Sequence, residues 1–246
     1  MNIGLCGLGK AGKQFIDFIN NRDDYNLVSV LCRSTSLTVG KTVTEVTKIK
    51  TKSEIIVEKI DDFSNVDKVD IMIDFSGKDT SLELVNLCCK YGIDLVICPT
   101  NFTNEDIQKI ANKALLNKIG IVYAPTLTLG VNAIITFVKI FSSLFPDFSF
   151  EIIEKHSKFK PIPTKTSEII SESISRESVP IHSIRLDGYV GVHEVIATNG
   201  NERITFTHES FSRNAFANGA LLAAEYIHGK VGLFDIKDMY AEMLRK

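Results

Sequence analysis

Four lysines and a histidine fall within eleven residues of this chain, at Lys155, His156, Lys158, Lys160 and Lys165, although its formal net charge is only −2. Ammonium groups can neutralise a dianion through charge-assisted hydrogen bonds, and an imidazole can deliver a proton near neutral pH. The stretch 150–167 begins like a strand, with apolar Phe150, Ile152 and Ile153. It leaves regular structure at Pro161 and Pro163, which cannot donate a ladder hydrogen bond. These residues fit two readings: a loop that holds an anionic substrate and supplies a proton, or a solvated basic loop without chemistry.

A second chemical signal lies at the start of the chain. Gly7-Leu8-Gly9-Lys10-Ala11-Gly12 follows an apolar segment at 2–6 and precedes Phe15, Ile16 and Ile19, which have helical spacing. A G-x-G-x-x-G turn between a strand and a helix is a dinucleotide-binding signature. The first glycine permits the tight turn, the second lets backbone approach a pyrophosphate, and the third lets helix pack on strand. The helix N-terminus adds unpaired N–H groups and a positive dipole end. Residues 7–12 are therefore the expected phosphate cradle. The next strand, at 27–31, ends where such a site reads the adenosine ribose, and an acid there would select NAD. Cys32 and Arg33 stand there instead, followed by Ser34, Thr35 and Ser36. An arginine with neighbouring hydroxyls suits a 2′-phosphate, hence NADPH. If Arg33 instead stacks on adenine or faces water, NADH is usable as well.

The elements that must position these groups alternate through the first half. Strands are expected at 54–57, 69–74, 94–98 and 120–124. Helices are expected at 80–91, with Leu82, Val85, Leu87 and Cys88 facing the core, and from an Asn104 cap to 117. Such alternation implies a parallel sheet covered on both faces, with ligands beyond the carboxyl ends of its strands. That rim carries Ser76, Thr100 and Ala124-Pro125-Thr126, which could meet the nicotinamide end or simply be turn residues. After an apolar helix ending before Pro146, strands are expected at 148–156, 182–187, 190–198 and 202–209, interrupted by a helix at 166–175. Asn199-Gly200-Asn201 is a hairpin signal. The predicted fold is α/β. A Rossmann-like parallel-sheet domain spans 1–126 and is completed by a C-terminal helix over 216–246. An α+β substrate-binding and oligomerisation domain with a mainly antiparallel sheet spans 127–215.

Composition narrows the class. Apolar residues make up 44% of the 246 and charged residues 24%, values typical of a folded globule. The near-neutral charge gives no reason to expect nucleic acid, and no apolar run is long enough to span a bilayer. The chain opens without a basic leader, so a cytoplasmic location is expected. Cys6, Cys32, Cys88, Cys89 and Cys98 are odd in number and lack metal-ligand spacing, which predicts reduced core thiols and no metal. His182 and His228 read as surface residues, while His193 and His208 read as core or interface hydrogen-bonders.

Taken in order, these motifs resemble the dihydrodipicolinate reductase family. The similarity covers the glycine turn, Asp74-Phe75-Ser76, Gly130-Val131-Asn132, Glu151-Ile152-Ile153-Glu154-Lys155-His156 and 188–194. It continues through Thr207-His208 and, most specifically, 213–220. The resemblance implies reduction of a cyclic imine dicarboxylate by NAD(P)H in lysine and diaminopimelate biosynthesis, in a homotetramer. It implies that His156 is the general acid, with Lys160 the cation beside it. It implies that Thr166 binds a substrate carboxylate and that Thr164 stands where the family has serine. Ser157 replaces the second of two histidines, and Lys165 replaces a glycine contact with a charge. Cys98-Pro99-Thr100 replaces the family's nicotinamide-pocket G-T-T, and the loop before Thr166 is one residue shorter. A hinge near 125–130 and 210–217 would close the loop over the nicotinamide. Two alternatives stay open: a reductase of another small imine or keto acid, and a non-catalytic dinucleotide sensor.

Overall fold

The computed structural model describes residues 1–243, which form two compact units. The first comprises Met1–Pro125 and the chain from Phe216 onward. Its elements run β1 (Asn2–Cys6), α1 (Lys10–Asn20), β2 (Asn26–Cys32), α2 (Val43–Thr47), β3 (Val57–Lys59), β4 (Ile71–Asp74), α3 (Lys78–Tyr91), β5 (Asp94–Ile97), α4 (Asn104–Asn117) and β6 (Gly120–Tyr123). After the second unit come α7 (Asn214–Ile227), β11 (Gly232–Asp235) and α8 (Ile236–Met243). Seven parallel strands pair in the order β11-β6-β5-β4-β1-β2-β3. The central strands are buried on both faces, so Ile71-Met72-Ile73 and Leu95-Val96-Ile97 read as continuous apolar runs. The strand order reverses between β1 and β4, and this switch point is where α/β sheets open a crevice for ligand.

Several local expectations are corrected. The cap of α4 is Thr103, not Asn104: its hydroxyl takes the Asp106 N–H at 3.2 Å, and the Asp106 carboxylate takes the Thr103 N–H at 2.8 Å. That reciprocal pair satisfies two helix-end donors that a lone asparagine would leave open. On α3, Leu84 joins Val85 and Cys88 in the core, whereas Leu82 and Leu87 are partly buried. The third strand lies at Val57–Lys59 rather than 54–57. The stretch 216–246 is not one helix. Gly229, at φ +78°, reverses the chain after α7, and β11 then joins the sheet edge beside β6. Asp94 holds this return by accepting the Gly120 and Gly229 N–H groups at 2.7 and 3.0 Å. Residues 244–246 of the expected helix lie outside the described residues.

The second unit, Thr126–Ala215, runs α5 (Leu129–Leu144), β7 (Ser149–His156), α6 (Lys165–Ser173), β8 (Ile181–Arg185), β9 (Gly191–Thr198) and β10 (Arg203–Ser210). Its sheet has the order β10-β9-β7-β8, with antiparallel pairing except for β7 with β8. Residues 199–201 form the β9–β10 turn. Strand alternation puts Phe150, Ile152, Glu154 and His156 of β7 on one buried face. The register carries this face across the sheet in rows. Phe150 faces Ala197, which faces Ile204; Ile152 faces Val195, which faces Phe206; Glu154 faces His193, which faces His208. The apolar rows pack against Val131, Ile134, Ile135 and Val138 of α5 and Ile169 and Ile170 of α6. The row of Glu154 and the next residue inward, His156, replace that apolar surface with titratable groups.

Candidate active site

The turn after β1 has the geometry of a phosphate cradle. Gly7 sits at φ +99°, and a Cβ there would lie 2.8 Å from the Phe75 and Ser76 backbone. Only glycine therefore lets the turns after β1 and β4 close on one another. Gly9 precedes α1 with nothing within 4 Å of its missing side chain, so backbone is open to an incoming group. A Cβ on Gly12 would collide with the Gly7 carbonyl, so helix and turn pack without a side chain between them. Lys10 and Ala11 form the first turn of α1, which holds no acid to oppose a phosphate. The adjoining cavity, about 450 Å³, has Gly7, Gly9, Arg33, Ser36, Thr38, Ser76 and Lys78 to Thr80 among its lining residues. The Ser36 and Thr38 hydroxyls hydrogen-bond at 2.7 Å beside Arg33, whereas Ser34 is turned away to donate to Asp61 at 2.5 Å.

The other expected cofactor groups divide. Ser76 lines the cavity, but its hydroxyl and N–H donate to buried Asp74 at 2.5 and 2.8 Å. Burial pushes the Asp74 carboxyl up, against the lowering effect of hydrogen bonds from Ser76 and Ser81. Cys98 and Ala124 continue the strand ends through N–H bonds to the Asp74 and Ile97 carbonyls at 3.1 and 2.8 Å. Burial pushes the Cys98 thiol up, so it stays protonated. Thr100 is half-buried at the end of the same turn. Cys98, Thr100, Ala124 and Thr126 do not line the cavity of the glycine turn. Thr126 departs from expectation: it lies in the second unit, where its hydroxyl donates to Asn132 at 3.3 Å and its carbonyl accepts from the Asn132 amide at 2.9 Å.

In the second unit the chemistry gathers around Glu154. Its fully buried carboxylate accepts from the Thr164 N–H at 3.2 and 3.1 Å and from the Ser167 and Ser183 hydroxyls at 2.5 and 2.6 Å. Arg185 donates at 2.6 Å, and the Thr164 hydroxyl donates as well. Burial alone would raise this carboxyl; the donors from Ser167, Ser183, Thr164 and Arg185 outweigh it and hold the group at about 2. Two residues on, His156 is buried, with Nε2 3.2 Å from Nε2 of His193. Burial lowers the His156 pKa, Glu154 opposes the shift, and Lys160 and Arg185 reinforce it. His193 is lowered to about 3 by burial and by the neighbouring His156 and His208. Both rings are thus neutral near pH 7, and one Nε2 carries the proton shared between them.

Lys160 is exposed, four residues beyond His156, and among the described residues its ammonium has no hydrogen-bond or ion-pair partner. Lys158 is paired with Asp187 at 3.0 Å. Lys165, expected to face substrate, pairs with Glu168 and Glu172 of its own helix at 3.0 and 3.6 Å. Their (i, i+3) and one-turn-further spacing draws the ammonium along the helix surface. The Thr164 hydroxyl and N–H serve Glu154, and the hydroxyl caps α6, because a buried carboxylate outcompetes solvent for both donors. Thr166 is half-buried in the first turn of α6. Among the described residues the Lys165 and Thr166 N–H groups have no acceptor, as expected at a helix start. Ser157 is half-buried and accepts the Lys160 N–H at 3.1 Å, closing the turn that presents the lysine.

Glu154, His156 and His193 place three possible metal ligands within 4.8 Å of one another. The carboxylate there already accepts from four side chains, one of them cationic, so a metal ion would have to displace Arg185. The donor set fits an internal hydrogen-bond network better than a cation. Sequence reasoning gave no role to Arg185, Ser183 or Lys78, and treated His193 as a mere core residue. The available signal was alternation: an acid at 154 in phase with Phe150 and Ile152 must be buried, and a buried acid requires partners.

Comparison with known proteins agrees with this architecture. Family models for the N-terminus and C-terminus of dihydrodipicolinate reductase match residues 1–127 and 130–240. The 4-hydroxy-tetrahydrodipicolinate reductase of Hahella chejuensis is 30% identical, over 94% of this chain and 95% of that protein. That of Ralstonia pickettii is 31% identical, over 97% and 99%. Among solved structures, a dipicolinate-bound dihydrodipicolinate reductase from Paenisporosarcina sp. TG-14 superposes with a TM-score of 0.81 at 22% identity, covering 96% of this chain and 97% of that one. An amine dehydrogenase from Mycobacterium smegmatis shares the fold at a TM-score of 0.68 and 8% identity. With both halves of the chain matched and its cradle and histidine row in place, this protein belongs to the dihydrodipicolinate reductase family.

Proposed function

We propose that this chain reduces dihydrodipicolinate, or its hydrated precursor, to tetrahydrodipicolinate with NAD(P)H, in lysine and diaminopimelate biosynthesis. The observation that carries this reading is the family match over both halves, in a chain that keeps His156 and an unpaired Lys160 four residues apart. The glycine cradle fits the cofactor: Gly7 and Gly12 have no room for a side chain, and Gly9 leaves backbone accessible. When bound, NAD(P)H supplies a hydride. Gly7, Gly9, Gly12 and the start of α1 bind its pyrophosphate, and Arg33 with Ser36 and Thr38 favours the 2′-phosphate of NADPH.

In the second unit Lys160 and the free N–H groups at Lys165 and Thr166 hold the substrate carboxylates. His156, once it has taken a proton from solvent, delivers that proton to complete the reduced product and returns to the neutral ring that hydrogen-bonds His193. The lowered basicity of His156 makes it a stronger acid once protonated, which suits it to donate. No helix among the described residues is long and apolar enough to cross a membrane. We place the enzyme in the cytoplasm as a homotetramer joined through the open face of the four-stranded sheet, where Ile184 is 44% exposed. Sedimentation should then report four times the 27.3 kDa chain.

The test is oxidation of NADPH with the dihydrodipicolinate precursor generated in situ, beside a panel of other small imines and keto acids. Turnover restricted to the cyclic dicarboxylate supports the reading. Faster turnover of a panel member would make the chain a reductase of that substrate. Tight NADPH binding without turnover of any imine would make it a sensor.

A further inference from the structure

Residues 157–163 hold Lys160, yet they have few means of staying in place. Pro161 and Pro163 lack N–H donors, and the Lys160 N–H is used within the turn, on the Ser157 carbonyl at 3.1 Å. Lys160 and Pro161 must therefore be fixed through their carbonyls. Arg185, the last residue of β8 and in register with His156, supplies both donors. Its Nε donates to the Lys160 carbonyl at 3.2 Å, and its Nη2 donates to the Pro161 carbonyl. The same Nη2 reaches Glu154 at 2.6 Å, and Nη1 donates to the Ile184 carbonyl at 3.1 Å. Among the described residues no other side chain donates to the backbone of 160 or 161.

We propose that Arg185 is a positioning residue: anchored on Glu154, it fixes Lys160 and the start of α6 in one arrangement that receives a dicarboxylate. This inference rests on the reading proposed above. Three observations carry it. The Arg185 side chain is only 10% exposed and that of Glu154 not at all, so the pair is sheltered from competing water. Its charge is matched by the Glu154 carboxylate, so it stands as a fixture and leaves the unpaired Lys160 to meet the substrate anion. Glu154 also accepts both the hydroxyl and the N–H of Thr164, the cap of α6. One carboxylate thus ties the loop through Arg185 and the helix start through Thr164, on the strand that carries His156. A planar guanidinium suits this task because its donors are fixed in one fork, which a single ammonium cannot reproduce.

The test uses the full chain carrying Arg185→Lys and Arg185→Gly. Affinity for pyridine-2,6-dicarboxylate is measured by calorimetry with NADPH present, NADPH affinity is measured separately, and hydrogen exchange is followed at the Lys160 and Thr164 amides. For Arg185→Lys the proposal expects dicarboxylate binding weakened about tenfold or more, with NADPH affinity within about twofold of wild type. It expects faster exchange at both amides, and a substrate KM that rises more than kcat falls. Millimolar ethylguanidinium, but not methylammonium, should restore dicarboxylate binding to Arg185→Gly. If Arg185→Gly does not fold, the exchange and affinity data on Arg185→Lys decide alone. Wild-type dicarboxylate affinity with unchanged exchange in Arg185→Lys overturns the proposal, as does equal loss of NADPH and dicarboxylate binding. If wild-type protein fails to reduce or bind the dicarboxylate, the functional reading fails, and amide exchange still judges the clamp on its own.

Discussion

Replacing Gly191 with alanine probes how closely His156 is held. Gly191 opens β9, and a Cβ there would stand 2.8 Å from Cε1 of His156 and 3.4 Å from its Nδ1. Carbon atoms pack best at about 3.5–4.0 Å, so the ring must retreat by roughly 0.7–1.2 Å. It has little room to do so: the residue is 6% exposed, and Nε2 is 3.2 Å from His193. A displacement near 1 Å in a reacting group costs about 10²-fold in rate, which corresponds to about 2.7 kcal/mol. Overpacking adds a stability loss of about 1–3 kcal/mol. The assay is steady-state NADPH oxidation beside urea denaturation, with calorimetry to show that NADPH affinity is kept. Gly200→Ala controls for lost stability, since it loads the left-handed backbone of the 199–201 turn with nothing within 4 Å of the added carbon. The expected result is a kcat/KM about 10²-fold lower for Gly191→Ala and near wild type for Gly200→Ala. Wild-type kcat/KM in a folded Gly191→Ala protein would refute the reasoning, because the imidazole position would then not matter.

Arg33→Gln should raise the Kd for NADPH about tenfold or more while leaving NADH within about twofold, because a charge-assisted hydrogen bond contributes about 1.5–3 kcal/mol; fluorescence titration of both cofactors checks it. Folding stability should fall with acidity. His193 is held at about 3 against an ordinary 6.5, so the unfolded chain binds more protons throughout that window, and stability present above pH 6.5 is lost as pH falls toward 3. From pH 6.5 to 5 the cost is about 2 kcal/mol, and His193→Leu should flatten that slope in urea titrations. Glu154, depressed from 4.5 to about 2, adds a second loss as pH falls through that lower window, so Glu154→Gln should make the acid limb below pH 4.5 shallower, leaving the His193 part, while lowering stability at pH 7.

The cradle and the parallel sheet were legible because their signals are local. Gly7 to Gly12 lie between a strand and a helix in sequence as in space, and the apolar runs of β4 and β5 are short and continuous. β11 was not legible. Its four residues make a strand only by joining β6, and 112 positions separate the paired Gly232 and Gly120. The second unit's strands could be placed from alternation, but their register could not. The pairing of Glu154 with His193 and of His156 with Arg185 joins residues far apart along the chain, so Glu154, His193 and Arg185 went without roles. Thr164, Lys165 and Thr126 have partners within the fold that local sequence could not reveal. Each has a polar group consumed by a neighbour whose orientation depends on the fold: Glu154, the α6 acids and Asn132. The placement of His156 at a strand end and of Lys160 on a turn was legible because the prolines that follow stop the strand.

The central claim is that the imidazole at His156 is the acid of the reduction. Turnover of in situ generated dihydrodipicolinate, followed as NADPH oxidation in wild type and His156→Ala, tests it directly. The account predicts a kcat about 10²–10⁴-fold lower in the variant, with NADPH binding intact. Equal turnover in the two proteins would contradict it.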